Sequence, residues 1–149
     1  PEVNPEIYDP LFEASSLYMD ELVKRERDRD YAQIAEILRT TDTSKYESDT
    51  ALQLLDRLKQ EIFPVVSKEH YENGHNLYSK YKYEEALDEL FMAYNYDQTN
   101  VDAIYFIARS YHRLGDYESA RTYYEIVVND FPESRRYQDA VSFLESLPE

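Results

Sequence analysis

Apolar residues in this chain recur at steps of three and four, which is the spacing of one face of an α-helix. Leu52, Leu55 and Leu58 form one such run near the middle of the chain. Glycine occurs only twice, at Gly74 and Gly115. Because the tight turns of sheet-rich folds draw on glycine, the sequence predicts an all-α protein of about eight helices and no strand.

The second half of the chain resembles itself when it is shifted by 34 residues. In this alignment small residues meet small ones and bulky residues meet bulky ones, and the clearest pairs are Tyr71 with Tyr105, Tyr83 with Tyr117, and Ala86 with Ala120. Each 34-residue unit holds two helical stripes separated by a turn. A short internal period of this kind is typical of stacked helical hairpins.

These residues resemble the tetratricopeptide repeat. The matching residues are Gly74, Leu77, Tyr83, Ala86, Leu90 and Ala93 in a first repeat over 67–100, and Ile104, Ile107, Ala108, Tyr111, Gly115, Tyr117, Ala120, Tyr124 and Pro132 in a second over 101–134. The first repeat departs from the family pattern at His70, Asn73 and Gln98. The resemblance implies an α-solenoid domain over 67–149, in which a closing helix over 135–147 covers the last apolar face.

Residues 1–66 lack the repeat and are interpreted as a helical N-terminal segment of three helices. Asp9 followed by Pro10 is typical of a helix start, and Asp49 is a candidate cap for a later helix. Pro64 either separates that helix from the first repeat or kinks one long helix. We expect the N-terminal helices to cover the first repeat where His70 and Asn73 break the pattern.

The run from Asp20 to Asp30 alternates acidic and basic residues. We interpret it as a solvated helix face held by neighbouring ion pairs. A partner-docking strip is the alternative.

Charge and composition exclude several classes of function. The net charge of −15 opposes binding to nucleic acid and to anionic lipid, and no apolar run approaches the roughly 20 residues of a membrane span. His70 and His75 are five apart and lie on different faces of a helix, so they do not chelate a metal as an i, i+4 pair would. We therefore expect no metal, no cofactor and no catalytic site.

The absence of cysteine leaves the compartment open. The chain begins at Pro1 and not at Met, so we expect a processed form or an excised piece. Its arrangement is similar to the extracytoplasmic parts of bacterial membrane-anchored repeat proteins. Gly115-Asp116-Tyr117, Ala120 and Phe131-Pro132 also resemble the repeat domain of the periplasmic Tol–Pal coordinator. Both resemblances imply a bacterial cell-envelope protein, and a cytoplasmic location is the alternative.

The predicted function is that of a protein-interaction scaffold, because stacked helical pairs form a concave surface. The family resemblance places partner contacts on the first helix of each repeat and on the closing helix, at Tyr71, His75, Tyr78, Asp102, Tyr105, Arg109, His112, Arg136 and Asp139. The alternative is a structural spacer or assembly segment without a ligand groove, which would form homo-oligomers through the N-terminal helices.

The expected partner is a protein or peptide with acidic and apolar groups. Tyr71 and Tyr105 predict two stacked rings one repeat apart, and Arg109, His112 and Arg113 place positive charge near them. Tyrosine is also favoured in binding surfaces, since its apolar ring carries a polar tip. In the alternative interpretation these tyrosines pack against each other or the N-terminal helices and fill the groove.

Overall fold

The computed structural model describes residues 8–149 and contains no strand there. The α-helices of this part are α1 (Pro10–Leu22), α2 (Ala32–Thr40), α3 (Asp49–Ser79), α4 (Tyr83–Tyr96), α5 (Val101–Leu114), α6 (Tyr117–Asp130) and α7 (Tyr137–Ser146). Short 3-10 turns occupy Glu26–Asp28 and Thr43–Lys45. The predicted all-α class is confirmed. The chain divides into two compact units at the junction of Val66 and Ser67, and each is described by itself.

Helix α3 accounts for the difference between the predicted and observed numbers of helices. It continues through Pro64, so the predicted third N-terminal helix and the first helix of the first repeat are one element. The residue before it is Ser48, whose hydroxyl oxygen lies 3.5 Å from the amide of Ala51. Asp49, the predicted cap, instead lies in the first turn of the helix, where a carboxylate favours the positive end of the helix dipole.

The first unit holds α1, α2 and the part of α3 up to Val66. Asp9 caps α1 as predicted, since its carboxylate accepts a hydrogen bond from the amide of Leu11 at 3.0 Å and Pro10 occupies the first helical position. The buried residues of this unit are Leu11 and Ala14 on α1, Tyr31 before α2, Ile34, Ala35 and Leu38 on α2, and Leu55, Leu58, Ile62 and Val66 on α3.

The run from Asp20 to Asp30 is not the helix face that the sequence predicts. Helix α1 ends at Leu22, and the guanidinium of Arg29 donates to the carbonyl oxygens of Leu22 (3.2 Å) and Lys24 (3.3 Å). The amide of Asp30 donates to the carboxylate of Glu21 at 3.0 Å. These bonds satisfy the end of the helix and fold the charged run into a loop.

The second unit stacks α4, α5, α6 and α7 in order after the last part of α3. Its fully buried large side chains include Leu90, Ile104, Ile107, Tyr124 and Val127. Alanines are buried where the helices approach, at Ala86, Ala93, Ala108 and Ala120. Small residues at these positions let neighbouring helices pack closely, as the 34-residue alignment predicts.

The two repeats make the same turn with different residues. Gly115 follows α5 with φ +81°, in the left-handed region, and the amide of Asp116 then donates to the carbonyl of Tyr111 at 3.0 Å. In the first repeat the residue 34 positions earlier is Tyr81, with φ +64°, and the amide of Lys82 donates to Leu77 at 3.0 Å. Tyrosine therefore holds a backbone conformation that favours glycine.

The junction of the two repeats is held by a chain of hydrogen bonds through the buried Ser67 and the half-buried Asn100. The amide nitrogen of the Asn100 side chain donates to the Ser67 hydroxyl at 2.9 Å, and that hydroxyl donates to the carbonyl of Ala93 at 2.7 Å. The Asn100 side-chain oxygen accepts from the amide of Ala103 at 3.1 Å and so caps α5. Asn100 therefore links α3 and α5 directly, and α4 through the Ser67 hydroxyl.

Candidate partner-binding groove

The predicted contact residues lie on two helices and at the start of a third. Tyr71, His75 and Tyr78 lie on α3 at spacings of four and three, which places them on one helix face. Asp102, Tyr105, Arg109 and His112 share a face of α5 in the same way. Arg136 occupies the N-cap position of α7, and Asp139 lies in its first turn. We call the surface formed by these residues the α3–α5–α7 groove.

Phe106 connects the aromatic residues of α3 to those of α5. Its ring centroid lies 4.7 Å from that of His75, 5.1 Å from that of Tyr78 and 6.1 Å from that of Tyr71. It also lies 5.1 Å from the ring of Tyr105. Sequence reasoning expected Tyr71 and Tyr105 to form two stacked rings, and in the structure Phe106 contacts both.

A cation lies against the rings of Tyr105 and Phe106 on α5. The guanidinium of Arg136 lies 4.9 Å from the centroid of Tyr105 and 5.1 Å from that of Phe106. Its Nε donates to the carboxylate of Asp102 at 2.8 Å, and Arg135 donates to the same carboxylate at 3.0 Å. Burial raises the pKa of Asp102, but these hydrogen bonds outweigh burial and hold the pKa below its usual value. Asp102 therefore orients the arginines and remains ionised.

Arg109 is the cation at the centre of the groove. Its guanidinium carbon lies 3.9 Å from the ring centroid of Phe143, and one guanidinium nitrogen lies 3.5 Å from the hydroxyl of Tyr124. Among residues 8–149, no carboxylate oxygen lies within 4 Å of the Arg109 guanidinium. A half-buried guanidinium held by aromatic rings is well placed to pair with an anion from outside the chain.

His112 lies beside Arg109 and is neutral at pH 7. Burial lowers its pKa, and the charges of Arg109 and Arg113 lower it further. Burial also raises the pKa of Tyr124 to about 12, so the Tyr124 hydroxyl keeps its proton and lies 3.0 Å from Nδ1 of His112. The positive charge of the groove at neutral pH therefore comes from its arginines, whereas sequence reasoning counted His112 among the cations.

The groove residues differ in exposure. Tyr105 is only 6% exposed and belongs to the core, as the groove-filling interpretation expects of a packed tyrosine. Tyr71, His75, Tyr78, Arg109, His112 and Arg136 are half-buried, and Asp139 is exposed. Burial raises the pKa of Tyr105, and the charge of Asp139 adds to this effect. The solvent-exposed part of this surface therefore consists of ring edges and guanidinium groups lying on a packed aromatic layer.

Sequence reasoning missed four residues that shape this surface: Phe106, Tyr124, Arg135 and Phe143. Phe106 follows Tyr105 directly, so a strict one-face assignment on α5 excluded it. Phe143 lies one turn after Asp139 on the closing helix, and that spacing was available as a signal.

The described part of the chain contains neither a cluster of metal-binding side chains nor a membrane-spanning helix. Within residues 8–149, no group of three or more His, Asp or Glu side chains is positioned to hold a metal ion. No helix in the same range combines the length and apolar character needed to cross a bilayer.

Comparison with known families gives one finding. The family model described as tetratricopeptide repeat matches residues 77–145. Residues 77–145, a little under half of the chain, are therefore similar to this family. The tetratricopeptide match begins near the end of α3 and extends into α7, so it includes Tyr78, Tyr105, Arg109 and His112. Comparisons with curated proteins and with solved structures find no match.

A tetratricopeptide repeat domain indicates a role in protein–protein interaction, and such repeats are typically non-catalytic. The similarity to the Tol–Pal coordinator and to extracytoplasmic repeat proteins stays a prediction.

Proposed function

We propose that the second unit binds a segment of a partner protein across the α3–α5–α7 groove, and that this segment carries a carboxylate next to apolar side chains. The observation that carries the proposal concerns the Arg109 guanidinium. It lies on the ring of Phe143, and no carboxylate of residues 8–149 forms an ion pair with it. A peptide carboxylate at this position forms a charge-assisted pair that is partly shielded from water.

The apolar part of the ligand is assigned to the α3 side of the groove. Tyr71, His75 and Tyr78 surround Phe106 with ring edges and are half-buried, so each keeps surface available for contact. Aromatic side chains lose little conformational entropy on binding, and they often anchor interfaces. The acidic surface of the chain, at net charge −15, repels acidic proteins generally, so the arginines also contribute to orientation and selectivity.

The test is selection of peptides from a random displayed library on the full chain, followed by calorimetry with the selected peptides. We expect enrichment of Asp or Glu flanked by aromatic or aliphatic residues. Arg109→Gln, which keeps most of the side-chain stem, should weaken binding about tenfold or more, because a hydrogen bond to a charged group contributes about 1.5–3 kcal/mol. Tyr105 is a poor probe since its removal disturbs the core.

Arg121→Gln is the matched control, since Arg121 lies on α6 and donates to the carbonyl of Pro148. Equal binding by a folded Arg109→Gln variant and the wild type would remove the groove from consideration. Selected peptides without acidic residues would reject the assigned ligand chemistry.

Binding should also depend on pH through His112. A peptide carboxylate beside Arg109 raises the pKa of His112, so the complex takes up a proton and binding tightens as pH falls toward the lowered pKa of His112 in the free chain. Arg109 and Arg113 from α5, together with Tyr117 and Tyr124 from α6, are the ionisable groups near this imidazole. His112→Asn should flatten the pH profile, and an unchanged profile would show that no carboxylate binds there.

We also propose that the chain is part of a bacterial cell-envelope protein. The support is the similarity of Gly115-Asp116-Tyr117 and Phe131-Pro132 to the periplasmic coordinator. Fractionation of cells that express the protein from its own gene tests the location, with an antibody against the second unit. Recovery in the cytoplasmic fraction would reject this location and leave the binding proposal unaffected.

A further inference from the structure

Residues 1–7 of this chain have the composition proposed for the ligand of the α3–α5–α7 groove. They read Pro-Glu-Val-Asn-Pro-Glu-Ile and precede the described part of the chain. Glu2 is followed by Val3 and Glu6 by Ile7, so each carboxylate stands next to an apolar side chain. The segment contains no basic residue. A candidate ligand for the groove is therefore present in the sequence itself.

The stretches between the helices do not have this composition. Those that contain both a carboxylate and an apolar residue are 23–31, 41–48 and 131–136, and each of them also carries Lys or Arg. At the other end of the chain, Leu147 is the apolar residue nearest to the final carboxylate, and it is buried. Acidic and apolar side chains without a basic residue are therefore a distinguishing property of residues 1–7.

The groove carries more positive than negative charge. The charged groups near its tyrosines and near His112 are four arginines and two carboxylates: Arg109, Arg113, Arg135, Arg136, Asp102 and Asp139. Arg135 and Arg136 already share Asp102, whereas Arg109 forms no ion pair with a carboxylate of residues 8–149. The two carboxylates of residues 1–7 balance this excess, so the segment and the groove are complementary in charge.

We propose that residues 1–7 of one copy of this chain occupy the α3–α5–α7 groove of another copy, an inference that rests on the proposed function. One glutamate pairs with Arg109 and the other with the arginines around Asp102. Val3 and Ile7 supply the apolar contact with the ring edges of α3. Recognition uses side chains, and it does not require a chain terminus.

The two prolines of the segment lower the entropic cost of binding. Proline fixes φ near −65° and biases the residue before it toward extended backbone. A segment that contains Pro1 and Pro5 therefore has less conformational freedom to lose when it is held in the groove.

Binding between copies is favoured because it has no limit of reach. The hydroxyl of Tyr8 donates to the carboxylate of Glu13, and Asp9 caps α1, so the segment leaves the first unit at Tyr8. Seven residues span at most about 25 Å from that point, whereas the groove of another copy can approach freely. Each bound pair keeps one unused segment and one unused groove, so the contact is heterologous and further copies can add.

Calorimetry with a synthetic peptide of residues 1–8, blocked at both ends, tests the segment as a ligand. The acceptor is the full chain carrying Glu2→Gln and Glu6→Gln, whose own segment does not compete. We expect the peptide to bind, and adding Arg109→Gln to the acceptor should weaken binding about tenfold or more. Added salt should weaken it as well. The same peptide with Gln at both Glu positions is the matched control and should bind at least about tenfold more weakly.

Sedimentation velocity tests whether the segment acts between copies. The wild type should associate as its concentration rises toward about 1 mM, and both the Glu2→Gln/Glu6→Gln and the Arg109→Gln variants should stay monomeric. An equimolar mixture of these two variants should form a one-to-one complex, since one supplies the groove and the other the segment. Glu26→Gln/Glu47→Gln changes two exposed carboxylates and should associate like the wild type.

The results separate this inference from the proposed function. A native peptide that does not bind overturns the inference alone if library-selected peptides still bind the same acceptor through Arg109, and failure of both sets of peptides rejects the groove itself. Peptide binding by a wild type that stays monomeric at every concentration overturns the second copy as the source of the segment. Association that survives Glu2→Gln/Glu6→Gln would show that another surface is responsible.

Discussion

Replacing Tyr81 by glycine should stabilise the protein although it removes a large side chain. Tyr81 has φ +64°, and a left-handed conformation costs a residue with a Cβ about 1–2 kcal/mol. Glycine avoids this cost but loses more entropy on folding, about 0.5–1 kcal/mol relative to alanine. The ring of Tyr81 is 73% exposed and contacts Tyr83 at 6.4 Å between centroids, so its packing contribution is small. The expected net gain is about 0.5–1 kcal/mol.

The comparison that isolates the backbone effect is Tyr81→Gly against Tyr81→Ala. Both variants remove the ring, and only glycine relieves the left-handed strain. In an ordinary helix position alanine is favoured over glycine by about 1 kcal/mol, so the expected order here is reversed. Urea denaturation followed by circular dichroism gives the free energy of unfolding for each variant.

The reverse substitution, from glycine to a residue with a Cβ, can be made at Gly115 in the second repeat. A Cβ built at Gly115 has no heavy atom within 4 Å, so Gly115→Ala introduces the strain of φ +81° without a steric clash. We expect a loss of about 1 kcal/mol. A Tyr81→Gly variant less stable than Tyr81→Ala would refute the reasoning, since it would show that this position has no left-handed strain in solution.

Further predictions concern packing and charge in the second unit. Ala86→Leu and Ala120→Leu should each cost about 1–3 kcal/mol by overpacking, and melting temperatures equal to the wild type would show loose packing. Gly74→Ala should destabilise the fold despite the better helix propensity of alanine, because the new Cβ would meet Leu90 Cγ at 2.7 Å. In a Leu90→Ala background, where that contact is gone, the same substitution should lower the free energy of unfolding by less. The pKa of Asp102 is lowered in the fold, so its ionised carboxylate stabilises the fold at pH values above the unfolded pKa of about 3.8. In an acid titration this contribution to the free energy of unfolding should disappear as pH falls through the folded pKa. Asp102→Asn should lack this contribution at every pH.

The all-α class and the repeat were predictable because both depend on local periodicity. Helical spacing needs only neighbouring residues, and Ala86 and Ala120 recur at one repeat length. The continuity of α3 was not predictable, since Pro64 is compatible with a break or a continuous helix. The loop after α1 was mistaken for a helix because its charge pattern suits i, i+4 pairs. In the structure Arg29 instead bonds the carbonyl of Leu22, the last residue of α1, and that of Lys24 in the loop.

The predicted groove residues were chosen by register, and register identifies a face but not the depth of a side chain. Tyr105 lies in the core because Phe106, Tyr124, Phe143 and Arg136 surround it. These contacts come from three different helices, and no local pattern contains them. The neutral state of His112 was missed for the same reason, since burial and the charges of two arginines together lower its pKa.

The hydrogen-bonded chain through Asn100 limits how this array can be lengthened or shortened. Repeat arrays are commonly treated as modules that can be inserted or deleted one at a time. Here the Asn100 side chain, at the end of the first repeat, needs Ser67 from the start of the same repeat as well as the amide of Ala103 from the next one. An inserted repeat that ends in the same asparagine therefore has to supply its own serine at the position equivalent to Ser67, and otherwise a half-buried amide at the new junction is left unpaired.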